Sequence, residues 1–178
     1  MLFTKLVALS FGVVPTLAKC VSASTTSSSA ISTPIPTYLF TAHLQLGEPL
    51  KAIPLLEGGT ITVEPIANGT ISGPYLNGTI LSGFAAAIVV SNNTFTGAGK
   101  SIQIATINVY GKTTDGLSLY VREEGLGIQA GQSTRLIVAV GGKYRSLQTM
   151  FKLGQPTPNA ARTTVTVPCY SVPLHAGL

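Results

Sequence analysis

Residues 101–123, SIQIATINVYGKTTDGLSLYVRE, decide the reading of this chain. Ser101–Tyr110 is rich in isoleucine, valine and threonine and has the length of a strand. Thr114-Asp115-Gly116 is a tight-turn signal, because glycine after aspartate accepts the left-handed backbone of a hairpin turn. Beyond it Leu117, Leu119 and Val121 alternate with Ser118, Tyr120 and Arg122, the period of a strand with one buried face. Together the three pieces spell two antiparallel strands joined by a turn.

The same pattern repeats outward. Tyr38, Phe40, Ala42, Leu44 and Leu46 share one face of a strand, against Thr41, His43 and Gln45 on the other. Gly59–Ile66 reads as a second strand, ending at Pro65. Asn68–Gly73 and Asn77–Gly83 echo each other, each a turn followed by a β-run, and are expected to be consecutive hairpin strands. Phe84–Val90 is apolar throughout and is expected to be buried on both faces or closely covered. Thr134–Val140, Leu147–Leu153 and Thr163–Cys169 bring the total to about nine strands. No stretch carries the period of a long amphipathic helix. The expected fold is all-β, an antiparallel, lipocalin-like barrel of about 8–9 strands. Closure removes the exposed edges of an open sheet, and a barrel of this size can hold one small ligand. With 45% apolar residues and no tryptophan, the lumen should be lined by aliphatic residues, tyrosine and phenylalanine.

The N-terminal segment reads as a secretory signal. Lys5 supplies a positive charge, and Leu6–Leu17 is an apolar run too short to span a bilayer. Small-residue sites allow cleavage after Ala18 or after Ala23. Residues 24–37 form a Ser/Thr-rich spacer that cannot bury enough apolar surface to fold, and the barrel domain is expected over 38–173. Asn68, Asn77 and Asn92 each begin an Asn-x-Thr glycosylation acceptor, which fits a secreted chain whose acceptors lie in exposed turns. Cys20 and Cys169 allow one disulfide, provided cleavage precedes Cys20; otherwise Cys169 is a buried thiol. No membrane association is expected once the signal is removed.

Composition excludes several classes of function. The formal charge is +5, less Lys5 once the leader goes, and no basic run or stripe is present, so no nucleic-acid partner is expected. Two cysteines and two histidines without ligand spacing make no zinc site. There is no nucleophile elbow, phosphate loop or dinucleotide fingerprint, and no pair of convergent carboxylates for glycoside hydrolysis. No cofactor and no metal are expected. The partner class is a small hydrophobic substrate or ligand, and self-association as a homodimer is left open.

The side chains able to polarise a ligand are few. His43 shares a face with Thr41 and Gln45, Tyr120 and Arg122 share one with Ser118, and Tyr110 ends its strand before Gly111. Alternation alone leaves open whether these faces are lumen or solvent. Thr106 and Asn108 are a polar pair in line with Ile102 and Ile104; an amide buried without partners is costly, so Asn108 should bond backbone, water or ligand. His43, Tyr110, Tyr120 and Arg122 are the candidate catalytic donors, with Thr106, Asn108 and Phe40 as candidate substrate contacts.

Several motifs in Tyr38–Gly154 carry a resemblance. Leu44-Gln45-Leu46-Gly47-Glu48-Pro49-Leu50 resembles the opening strand and turn of the domain-of-unknown-function 3237 family of small β-barrels. Gly58-Gly59-Thr60, Gly69–Pro74, and Asn77–Leu81 with Ser82-Gly83 resemble its glycine-marked strands. Thr114-Asp115-Gly116 with Leu119-Tyr120-Val121-Arg122 is the most specific piece, and Lys143–Leu147 and Phe151–Gly154 are similar to its closing segment. Two departures stand out. Gly83-Phe84-Ala85-Ala86 lacks the acid usual in that segment, and Leu147-Gln148 replaces a Leu-Asn pair. The signal, acceptors and apolar barrel also resemble a group of secreted fungal barrel proteins that act as hetero-Diels–Alderases on a tropolone-derived quinone methide and a terpene. The resemblance implies a cofactor-free pericyclase of polyketide–terpenoid metabolism. A lipocalin-like carrier and a filled, non-enzymatic surface protein are the alternatives.

Overall fold

A computed structural model of the protein describes residues 34–91 and 101–174. The expected signal, the spacer up to residue 33, Cys20 and Asn92 lie outside the described residues. Ten strands follow in order: β1 (Thr37–Leu46), β2 (Ile53–Pro54), β3 (Thr60–Ser72), β4 (Gly78–Ser91), β5 (Ser101–Thr113), β6 (Ser118–Ile128), β7 (Gly131–Val140), β8 (Phe151–Gly154), β9 (Thr157–Pro158) and β10 (Thr164–Val172). Among the described residues one 3₁₀ helix, Gly142–Gln148, lies between β7 and β8.

All pairings are antiparallel. The ring runs β1-β10-β8-β7-β6-β5-β4-β3, and β1 closes it by pairing with β3 as well as β10. The result is an eight-stranded closed barrel, with β2 added beside β3 and β9 beside β10. This is the expected fold class.

Segmentation differs from the reading of the sequence. Gly59–Ile66 and Asn68–Gly73 form one strand, β3, and Asn77–Gly83 runs on into Phe84–Val90 as β4. The echoed segments therefore pair within one hairpin, with Thr70 opposite Thr79. Gly69 and Gly83 are not turn residues. A Cβ at Gly83 would sit 2.2 Å from the Asn108 carbonyl oxygen, and one at Gly69 would sit 2.6 Å from that of His43. Both glycines permit close backbone approach in a coiled sheet. Phe84–Val90 is not buried on both faces: Phe84 is 45% exposed. In Leu147–Leu153, only Phe151 onward is strand. Tyr38 is exposed because β1 shifts register between Tyr38 and Phe40, which turns Leu39 inward with Phe40.

The core fills one end of the barrel. Phe40, Ala42 and Leu44 of β1, Val109 of β5, Leu119 and Val121 of β6, and Val138 and Val140 of β7 point inward. The 3₁₀ helix plugs this end with Tyr144 and Leu147. Polar contacts hold the plug on two sides. The Tyr144 hydroxyl donates to Asp115 Oδ1 at 2.8 Å, linking it to the β5–β6 turn. Asp115 is lowered to about pKa 2, first by Tyr144 and then by Lys143, whose Nζ lies 3.1 Å away. On the other side the buried Lys152 ammonium donates to the Leu147 carbonyl and, at 2.7 Å, to that of Met150. Its pKa is lowered, by desolvation before the charge of Arg135. The turn itself forms as expected: Gly116 has φ +82° and its N–H reaches the Thr113 carbonyl at 2.9 Å.

Tyr144→Phe keeps the ring and removes only its latch to Asp115. We expect it to lower unfolding free energy by about 1 kcal/mol in urea titration, with unchanged far-ultraviolet dichroism. No loss would show that the hydroxyl contributes nothing to seating the plug.

Candidate functional site

Among the described residues, the end opposite the plug is open. On β4 and β5 the inward positions there carry alanine: Ala85 faces Ile107 across the ladder, and Ala87 faces Ala105. Small side chains at facing positions leave a gap that Leu44, Ile66 and Val165 border but do not fill. The gap is a pocket of about 530 Å³ of open space, counting the solvent at its mouth. The enclosed part of the gap is about 50 Å³, below the ~300–1,000 Å³ of sites that bury a drug-sized ligand, so a larger ligand would sit partly in the mouth.

Two polar pairs converge on this apolar wall. Gln132 Nε2 donates to Gln103 Oε1 at 2.9 Å. Arg162 donates twice to Glu64 Oε1, from Nε at 3.1 Å and from Nη2 at 2.5 Å. Glu64 points inward from β3, and Arg162 comes from the loop between β9 and β10. The backbone of Arg162 is left-handed, φ +53°. That conformation costs a non-glycine residue roughly 1–3 kcal/mol. Asn159 holds the loop in place: its Oδ1 accepts the N–H groups of Thr163 and Thr164 at 2.9 and 3.2 Å, and its carbonyl accepts that of Arg162 at 3.0 Å. Glycine would relieve the strain, but only a long side chain can reach Glu64 and the pocket.

Below the floor lies a buried acid. Glu123 sits inward on β6 between Ile107 of β5 and Leu136 of β7, and is 4% exposed. Its Oε2 lies 2.9 Å from Thr134 Oγ1, which is also 3.3 Å from the Gly154 carbonyl oxygen. Thr134 has one hydroxyl proton. A protonated Glu123 can donate to Thr134 while Thr134 donates to Gly154, so the neutral acid satisfies the whole chain. Desolvation raises the Glu123 pKa to about 7, against the opposing Thr134 bond. The Cys169 thiol is likewise pushed up, by burial first and then by Glu123.

The residues singled out in the sequence fall mostly elsewhere. Thr106, Asn108 and Tyr110 on β5 and Tyr120 and Arg122 on β6 face outward, since the apolar alternate residues fill the lumen. They do come together on that outer face. Tyr110 is directly opposite Tyr120, and the Tyr120 hydroxyl donates to Asn108 Oδ1 at 2.7 Å. Arg122 pairs with Glu124 along the same strand, which raises its pKa. His43 is exposed on the outer face of β1, with Nδ1 3.3 Å from Thr166 Oγ1. Phe40 is inside but belongs to the core, not the pocket wall. Asn68 is exposed within β3, and Asn77 precedes β4, its Nδ2 donating to the Gly73 carbonyl at 2.8 Å. Cys169 is fully buried, its thiol directed at the Val167 carbonyl.

Reading the sequence missed Gln103, Gln132 and Arg162. Glu123 had a signal: it continues the apolar row Leu119, Val121 on β6. Arg162 had none, being 98 residues from Glu64 in a loop.

Residues 34–145 match the family described as "Protein of unknown function (DUF3237)". No curated protein matches the chain. Among solved structures, a conserved protein of unknown function from Rhodopseudomonas palustris aligns at TM-score 0.67 and 19% identity, covering 80% of this chain and 99% of its own. A β-barrel-like protein from Acinetobacter baumannii AYE aligns at TM-score 0.65 and 18% identity, covering 80% and 98%. An enzyme from Penicillium herquei aligns at TM-score 0.61 and 20% identity, covering 80% and 96%. At these identities the likeness is one of fold.

The raised pKa of Glu123 predicts a pH dependence. The folded chain keeps a proton that the unfolded chain releases between about pH 4.5 and about 7. Its stabilising contribution is complete below that window and is lost as pH rises through it. Glu123→Gln, a neutral mimic, should therefore gain on the parent by on the order of 3 kcal/mol between about pH 4.5 and about pH 8. Urea melts at both ends of the window measure this. A parent–variant difference that does not move with pH would rule out a neutral buried acid.

Proposed function

We propose that this chain, which belongs to the DUF3237 family of proteins of unknown function, is a cofactor-independent pericyclase of the hetero-Diels–Alder type. It would join a quinone methide of polyketide origin to a terpene at the open mouth of its apolar barrel. The observation that carries this reading is the open-ended pocket. It has an aliphatic wall, the alanine-lined gap of β4 and β5, and hydrogen-bond donors from Arg162 and Gln132 converging on it. The fold is also one that an enzyme from Penicillium herquei uses.

The chemistry suits such a site. A hetero-Diels–Alder addition turns three π bonds into two σ bonds and one new π bond, and needs no proton transfer, oxidant or reductant. The protein therefore needs no acid–base pair. It needs to hold two apolar reactants in register, which turns a bimolecular encounter into an effectively intramolecular step. It also needs a donor where negative charge gathers on the quinone methide oxygen. The Arg162 guanidinium can supply that donor, with Glu64 anchoring it. Gln132 can supply a second if its bond to Gln103 is exchanged for one to the substrate. The leader and the acceptors at Asn68, Asn77 and Asn92 support a place for this reaction in the secretory pathway.

One observation favours a carrier as second reading. The polar groups are already paired with one another, so an apolar ligand can be held with no new polar contact. Incubating the purified protein with a quinone methide precursor and humulene separates the two. The expected result is one stereoisomer in excess of the protein-free control, lost when Ala105→Phe fills the gap. Unchanged stereochemistry together with a retained ligand in native mass spectrometry would establish the carrier instead.

A further inference from the structure

We propose that the outer face of β4, β5 and β6 is the self-complementary interface of a homodimer. Residues facing outward lie in rows across the strands, set by the register. One row holds Ser82, Tyr110, Tyr120 and Ala139; the next, Phe84, Asn108, Arg122 and Ile137. A third holds Ala86, Thr106, Glu124 and Arg135; a fourth, Ile88, Ile104, Leu126 and Ser133. The plug-side half of the face is thus aromatic and the pocket-side half aliphatic. Arg122 and Glu124 mark the line between them.

A two-fold axis lying across the strands between Arg122 and Glu124 maps each row onto its opposite. Arg122 then meets the partner's Glu124, and Glu124 meets the partner's Arg122. Tyr110 and Tyr120 cover the partner's Ile104 and Leu126. Phe84 falls on the partner's Ala86, large against small, and Asn108 on the partner's Thr106, an amide on a hydroxyl. One operation satisfies charge, size and polarity together, as an isologous interface requires.

The exposed area supports a second copy as the occupant. Seven large apolar side chains of β4–β7 on this face are 42–62% exposed, Leu126 the most. At roughly 150–250 Å² for a large side chain, they offer on the order of 600 Å². That approaches the about 800 Å² each partner buries in a standard interface. A patch of this size is at the upper end of what a monomer leaves exposed and often marks a binding face. Arg122 and Glu124 are half exposed, 47% and 52% by side chain, so their pairing is free to exchange from within the strand to across the axis. Asn68 lies on the ladder between β3 and β1, so a glycan there leaves this face clear.

The test is the mass of the full chain in solution by light scattering after size exclusion. The parent should give twice the chain mass at micromolar concentration. Arg122→Glu and Glu124→Arg should each raise the dissociation constant by about a hundredfold or more, through like charges facing each other. Each single variant also breaks the pair within its own strand, so mixing them is decisive. The mixed dimer regains both cross-axis pairs and neither internal one. Recovery of the dimer mass on mixing supports the proposal. A parent that stays monomeric over the concentration range overturns it. So does a parent dimer that both variants leave intact, since another surface would then be responsible.

Discussion

Closure of the sheet by β1 governs everything else in this molecule. β1 pairs on one side with β10 and on the other with β3, so every strand's inward residues share a single lumen. A closed sheet has no freedom to choose which face is wet. Once Ala42, Leu44, Val121 and Val138 are inside, their neighbours in sequence must be outside. The placement of His43, Tyr110, Tyr120 and Arg122 is a direct result.

Much of this could be read from the chain. Alternation in β1 and β6 announced strands with one apolar face, and the Asp-Gly turn announced the central hairpin. Two things could not be read. The first was how runs join into long strands. Gly69 and Gly83 carry the composition of turns, but their lack of a Cβ serves contact between neighbouring backbones, and nothing local separates the two uses. The second was the site. Its polar members come from β3, β5, β7 and the loop before β10, and the Glu64–Arg162 pair spans 98 residues. Only barrel closure puts them in one place. Glu123 is a nearer miss, since its parity on β6 pointed inward from the start.

The alanines at 85, 87 and 105 show how packing makes a site. A barrel of this size can fill its interior completely with side chains, and at the plug end it does. At the other end the same alternation continues, but the side chains shrink. Space there is a matter of residue volume, with no change of backbone. The strained backbone at Arg162 belongs to the same economy, because a charge aimed into an apolar pocket must be held there by something other than solvent.

The plug of Tyr144 and Leu147 closes the barrel at the end remote from the pocket, and the two ends share strands but few loops. Stability and the shape of the pocket are thereby housed apart. The segments around the open mouth, 47–59 and 155–163, can change length and composition without disturbing the latch at Asp115 or the Lys152 clamp. A lineage of such barrels is free to reshape its pocket while its fold stays anchored, which makes the architecture evolvable at one rim and conservative at the other.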